Sequence, residues 1–276
     1  MLKQRILTAL ILIPLVLWAI IDLPDNYYAV VLAFIVILGA REWTSMARLN
    51  KTMSIVYLLV FVAILYVCWF KVLTAEQYSS YLLYVACAWW LLAFYLLAKF
   101  NRGQTNIVAN RFLRAIIGIL ILLPTFAALY LLRTQLESGA SLVIYLLVLI
   151  WLADSAAYFS GKRWGKNKLL PNVSPGKTWQ GVYGALVASI SFSIIFALLN
   201  SSISNAQTPV FVLISFITVI FSVHGDLTES MFKRQVNIKD SGQLLPGHGG
   251  MLDRIDSLTA AAPVFMTGLY LMRGGL

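Results

Sequence analysis

The chain is 276 residues long, 60% hydrophobic and only 12% charged, with 21 Lys and Arg against 11 Asp and Glu and a net charge of +10. So small a share of charge excludes a water-soluble globule and makes lipid the solvent for most of the chain. The apolar runs are continuous and built mainly from Leu, Ile and Ala, which excludes a β-barrel, whose strands alternate apolar and polar positions.

A hydrocarbon core about 30 Å thick takes roughly 20 apolar residues per helical crossing. Nine such runs are predicted, at residues 6–23, 27–45, 53–72, 79–98, 112–133, 139–161, 179–200, 208–226 and 254–272, and together they make an all-α, polytopic membrane bundle. In the first run Lys3 and Arg5 precede a long apolar stretch with no A-x-A site after it, so it reads as an uncleaved helix rather than a signal peptide. The second is the weakest, because Arg41 and Glu42 lie inside its end. Cys68 and Cys87 fall within runs and read as small apolar side chains, not as a disulfide or metal framework. Trp89 and Trp90 read as mid-span packing residues, whereas Trp18, Trp43, Trp69 and Trp179 fit interfacial belts. In the seventh run Gly181, Gly184, Ala185, Ala188 and Ser189 predict close helix packing.

Basic residues set the orientation. With the N-terminus cytoplasmic, 18 of the 21 Lys and Arg fall on the cytoplasmic side, and the opposite side keeps Lys71, Arg133 and Arg273. Topology thus accounts for the positive charge, and no nucleic-acid partner is needed. We divide the chain into an N-terminal region, 1–111, with four spans, and a C-terminal region, 112–276, with five spans and the cytoplasmic loops 162–178 and 227–253.

The stretch from 224 to 256 holds five of the eleven acids and both histidines, which a plain anchoring loop would not need. Asp226 ends the eighth run, while Asp253 and Asp256 open the ninth, three residues apart and therefore on one helical face. Two helix ends can thus aim carboxylates at one point. Hard oxygen ligands suit Mg²⁺, whose other positions go to water and phosphate, and two histidines without cysteines make zinc a poor match. The alternative is structural: Asp226 and Asp253 would pair with Arg254, Lys233 or Arg234 and hold the loop against the bundle. Acids at membrane ends are costly to keep, which favours function.

Gly247, Gly249 and Gly250 flank His248 just ahead of the ninth helix, whose N-terminal amides suit phosphate oxygens. Equally, the glycines would serve a turn with positive φ, and His248 would bond the loop backbone. Residues 171–178 superficially suggest a phosphate loop, but Pro171 stands where the first glycine belongs and no strand is predicted before it, so a Walker-type ATPase is excluded. The alternative there is a basic juxtamembrane loop drawn to anionic headgroups. Asp154 lies about 10 Å inside the end of the sixth run at about 1.5 Å per residue, deep enough to be a site candidate unless it only bonds a neighbouring hydroxyl.

Ser230, Lys233, Arg234, Lys239, Asp240, Pro246, His248, Gly249, Gly250, Asp253, Arg254 and Asp256, in that order and spacing, resemble without departure the signature of the phosphatidate cytidylyltransferase family. His224 to Ser230, Trp151, Asp154, Ala157, Tyr158, Gly161 and the run Ser174-Pro175-Gly176-Lys177-Thr178 are similar to family positions as well. The resemblance covers the C-terminal half; the first 110 residues match only as short apolar helices. It implies the reaction of CTP with phosphatidic acid to give CDP-diacylglycerol and pyrophosphate, at the cytoplasmic face of a bacterial inner membrane. Mg²⁺ is expected on Asp226, Asp253 and Asp256, with a second cation left open. Asp226, Asp253, Lys233 and Arg234 are the expected catalytic residues. Ser174, Lys177, Thr178, Lys239, Asp240, His248, Gly249, Gly250, Arg254 and Asp154 are expected to bind substrate. CTP, phosphatidic acid and membrane lipid are the expected partners, without nucleic acid, and a homodimer is left open. The rival readings are another membrane lipid phosphotransferase or kinase, and a transporter. A transporter should carry related halves and midplane charges, whereas here the acids gather at one face.

Overall fold

The computed structural model describes residues 2–104, 107–136, 138–200, 202–244 and 249–272, with side chains described from Leu10 onward. Among the described residues nine α-helices follow one another: α1 (Leu2–Ile21), α2 (Asp25–Met46), α3 (Lys51–Val67, continued by a π-helical turn, Cys68–Val72), α4 (Glu76–Asn101), α5 (Arg111–Thr134), α6 (Gly139–Trp164), α7 (Trp179–Leu199), α8 (Thr208–Gln235) and α9 (Leu252–Met272). Each of the nine predicted runs has its helix, and eight of the helices are long and apolar enough to cross a membrane. The protein is a polytopic membrane bundle.

α5 and α9 form its centre. α5 packs on α2 and α9, and α9 also packs on α4 and α8, so helices from both halves of the chain share one core. In lipid such contacts rest on close packing and internal hydrogen bonds rather than on hydrophobic burial. Tyr145 of α6 shows both: its ring packs among Phe192, Phe196, Phe211 and Phe265, and its hydroxyl lies 2.6 Å from Ser215 Oγ. α6 and α7 approach as the small residues predicted, since a side chain added at Gly181 would sit 2.9 Å from the Ala157 carbonyl oxygen and one at Gly184 would collide with Ser160.

Three expectations are corrected. α8 continues past residue 226 to Gln235, so much of the expected loop 227–253 is helix. Leu227 to Gln235 contain no Gly or Pro, and Glu229 pairs with Lys233 one turn on, which carries the helix beyond the apolar run. Residues 162–178 hold an antiparallel hairpin, β1 (Lys168–Leu170) and β2 (Ser174–Thr178), where only a loop was expected. A strand does precede residue 171, but as three residues of a hairpin rather than the strand that feeds a phosphate loop. Trp43 is buried instead of interfacial: its Nε1 donates to the Arg114 carbonyl at 2.8 Å and its ring meets Phe232 edge-on at 5.0 Å. Trp18 and Trp179 are exposed, Trp69 is half-buried, and Trp89 and Trp90 are packed in the core.

Buried Arg114 ties the helix ends on one side of the bundle. It donates to the Val108 carbonyl at 2.6 Å, to the Met46 carbonyl at the end of α2 at 3.0 Å and to Gln235 Oε1 at the end of α8 at 2.8 Å. A cation suits two helix C-termini, whose last carbonyls carry partial negative charge.

Candidate active site

The last turns of α8 present Asp226, Glu229, Ser230 and Lys233 at spacings of three and four residues, hence on one face. α9 meets that helix at Gly225. A side-chain carbon there would sit 2.7 Å from the Asp256 carbonyl oxygen and 3.0 Å from Ala260 Cβ, so glycine is what lets the two backbones come this close. The contact brings Asp226 and Asp256 within electrostatic reach, and Asp256 also feels Lys233 and Lys177. The Asp256 carboxylate accepts a 2.6 Å hydrogen bond from Ser257 N.

Asp226 is held from its other side by β2. Lys177 Nζ lies 2.5 Å from Asp226 Oδ2, with both side chains partly exposed, and Ser230 Oγ donates to Asp226 Oδ1 at 3.3 Å. Asp154 of α6 feels the charges of Lys177 and Asp226. The hairpin is anchored where it must reach: Asn172 donates to Asn101 Oδ1 at 3.2 Å and to the Asn101 carbonyl at 2.7 Å, and Arg234 Nε donates to the Val173 carbonyl at 3.4 Å. Thr178 Oγ1 accepts from Gly181 N at 3.2 Å and so caps α7; its hydroxyl serves the fold.

Lys233 is the second node. Its Nζ donates to Asp253 Oδ1 at 2.6 Å and stands 3.0 Å from Glu229 Oε1 as an ion pair off the hydrogen-bond line. Lys233 and Glu229 are buried, at 8% and 4% exposure, so each charge depends on the other for compensation. Asp253 is occupied on both oxygens: beside Lys233, Oδ1 lies 3.2 Å and Oδ2 2.9 Å from Ser241 N, and Oδ2 accepts from Gly250 N at 2.9 Å.

The sequence aimed Asp226 and Asp253 at one point, but they engage different lysines, and Asp253 makes the Lys233 pair of the alternative reading. Among the described residues no three carboxylates or histidines are grouped closely enough to hold an ion. The acid that senses the charge of Asp226 across the α8–α9 contact is Asp256. The N-terminal amides of α9 are also not free: Gly250 N bonds Asp253, and Met251 N and Leu252 N donate to Glu42 of α2 at 2.9 and 2.8 Å. Gly249 has φ +82°, the turn reading of that glycine. Arg234, Lys239, Asp240 and Arg254 are exposed and Ser174 is half-buried, while His248 lies outside the described residues. His224 turns away into the bundle, stacked on Phe94 at 3.7 Å, with Nε2 3.0 Å from the Trp90 carbonyl and therefore protonated there.

Two acids were missed. Glu229 falls within the expected loop 227–253, although its four-residue spacing to Lys233 is a helical signal. Glu42 was noted only as a blemish in a span, and an acid in an apolar run is itself the signal.

In all, Asp154, Asp226, Glu229, Asp253 and Asp256 stand against Lys177 and Lys233 within the cluster, a surplus of three carboxyl groups over ammonium groups. A divalent cation offsets such a surplus. Both oxygens of Asp226 also have partners, but these are a partly exposed Lys177 and a long 3.3 Å bond from Ser230. By exchanging them, Asp226 with the second oxygen of Asp256 would serve Mg²⁺, which takes one or two carboxylates and leaves its other positions to water and phosphate. Asp253, in contrast, is held by Lys233, Ser241 and Gly250 together.

Comparison with known proteins adds to this geometry. The model of a family described as the Cytidylyltransferase family matches residues 3–272. A phosphatidate cytidylyltransferase of Haemophilus influenzae is 41% identical, with 96% of this chain and 97% of the relative aligned. One from Pseudomonas aeruginosa is 44% identical over 98% and 97%. One from Bacillus subtilis is 38% identical over 60% of this chain and 64% of its own length.

Proposed function

The chain belongs to the cytidylyltransferase family, and on that footing we propose that it is a CTP:phosphatidate cytidylyltransferase, joining CTP and phosphatidic acid into CDP-diacylglycerol with release of pyrophosphate. The observation that carries the reading is the cluster where α8, α9 and β2 meet, acids and bases together at one end of a lipid-embedded bundle. One substrate is a two-chained lipid and the other a soluble nucleotide, and a polar site at a membrane face meets both.

The lipid phosphate is anionic near neutral pH and needs no general base. One of its oxygens forms the new bond to the α-phosphorus of CTP, the bond from that phosphorus to the bridging oxygen breaks, and pyrophosphate leaves with the electron pair. The barrier is the approach of two polyanions, so catalysis consists of positioning and charge neutralisation. Asp226 and Asp256 would hold Mg²⁺, which neutralises phosphate charge when bound. Lys177 steadies Asp226 and stands ready for a phosphate. Arg234, Lys239 and Arg254, all exposed, draw in the triphosphate and the lipid headgroup, together with Ser174, Asp240, Gly249 and Gly250. Lys233 and Asp253 hold the frame between α8 and α9. The site belongs on the cytoplasmic face of a bacterial inner membrane, in keeping with the basic residues on that side.

The test is purified protein in detergent with phosphatidic acid, labelled CTP and Mg²⁺, scored for CDP-diacylglycerol. Label in that lipid is the expected result. Phosphate transfer from ATP, or flux through proteoliposomes without turnover, would overturn the reading.

A further inference from the structure

We infer that Glu42, on α2 and far in sequence from the signature, is a positioning residue that sets the start of α9 and, through it, Asp253 and Asp256. The inference rests on the proposed activity for its kinetic consequence only. Glu42 Oε2 accepts from Ser241 Oγ at 2.9 Å and from Leu252 N at 2.8 Å, and Oε1 accepts from Met251 N at 2.9 Å. One carboxylate therefore ties Ser241, within the segment between α8 and α9, to the start of α9. The loop is shaped to receive it: a side chain at Gly242 would come within 2.5 Å of Glu42 Oε1, and one at Gly250 would collide with Oε2. α2 is itself fixed nearby by Trp43 against Phe232 and by Gly39, where an added carbon would lie 3.2 Å from Leu122 Cδ2 and 3.6 Å from Leu252 Cδ1.

Charge direction argues the same way. Glu42 lies near the C-terminus of α2, where a negative charge opposes that helix's own dipole. At the N-terminus of α9 the same charge is favourable and satisfies two amides that would otherwise have no partner. The stabilisation thus lies between the helices. The candidate carboxylates follow directly, Asp253 one residue and Asp256 one turn beyond Leu252. This gives the N-terminal helices a part in the site that the sequence does not reveal.

The experiment compares wild type, Glu42→Gln and Glu42→Asp in the full-length protein, by hydrogen exchange and by turnover. Gln keeps the shape but points an amide donor at one of the N–H groups, and an unmatched buried donor corresponds to about a 5- to 150-fold loss. E42Q should speed exchange at residues 250–252 selectively, lower kcat by about that range and raise the Mg²⁺ concentration for half-maximal turnover at least about fivefold. That midpoint does not move when a variant merely folds less well. E42D, which keeps the charge on a shorter stem, should recover part of both effects. Should E42Q fail to purify, E42D against wild type is read alone, with faster exchange at 250–252 and a shifted Mg²⁺ midpoint expected. Unchanged exchange in these variants, or faster exchange with an unmoved midpoint, overturns the inference. If wild type makes no CDP-diacylglycerol, the proposed function fails, while the exchange result still judges whether Glu42 orders α9.

Discussion

Lys177 of the hairpin and Asp226 of α8 are joined by a 2.5 Å ion pair, although the hairpin and α8 are separated in the chain by the whole of α7. Both groups act electrostatically on Asp256, and both side chains are partly exposed, so each can be tested with little disturbance to the bundle.

Asp226→Asn should abolish turnover while the protein inserts and purifies normally. A single, partly exposed ion pair contributes about 0–1 kcal/mol to stability, so the melting temperature should hardly move. Asp256→Asn should behave alike in turnover. Activity close to wild type in either variant would remove that residue from the cation site.

Asp253→Asn should lose turnover and stability together. It gives up the Lys233 ion pair and weakens the bonds from Ser241 and Gly250, while Glu229 still compensates the Lys233 charge. A hydrogen bond to a charged group contributes about 1.5–3 kcal/mol, which sets the scale of the loss. Thermal melting in detergent reads the loss, and a melting temperature equal to that of D226N would count against it.

Gly225→Ala puts a carbon against the Asp256 carbonyl and Ala260. Overpacking of this kind costs about 1–3 kcal/mol, and the helices must part to relieve it. Turnover should fall more than the melting temperature suggests, because parting α8 from α9 separates Asp226 from Asp256.

Chelation should stop the reaction and Mg²⁺ should restore it. Ca²⁺, larger and served by more ligands, should restore it poorly. Full turnover in excess chelator would end the assignment of a cation to Asp226 and Asp256.

The bundle was legible because lipid imposes it: a continuous apolar run of about 20 residues has few folds open to it. The end of α8 was not, because hydropathy stops at Asp226 whereas helix propensity runs on through Leu227 to Gln235. The hairpin hid behind Pro175 and Gly176, which read as loop residues. Of the candidate site, residue types and helix ends were visible, but pairing was not. Asp253 had several bases within sequence reach, and Glu42 has partners that only the folded chain brings near. Which carboxylate meets which cation is decided by Gly225 and by the hairpin's anchorage on Asn101, and neither leaves a periodic mark.

α8 has 28 residues and is therefore about 42 Å long at 1.5 Å per residue, against a hydrocarbon slab of about 30 Å. The excess amounts to some two turns, and Glu229, Lys233 and Arg234 lie on the last two turns of the helix, which the apolar run does not cover. The height at which a glycerolipid head meets a water-borne triphosphate is thus built into covalent geometry. Bilayers of unequal thickness would tilt that helix, which makes turnover in vesicles of graded acyl length a direct gauge of its reach.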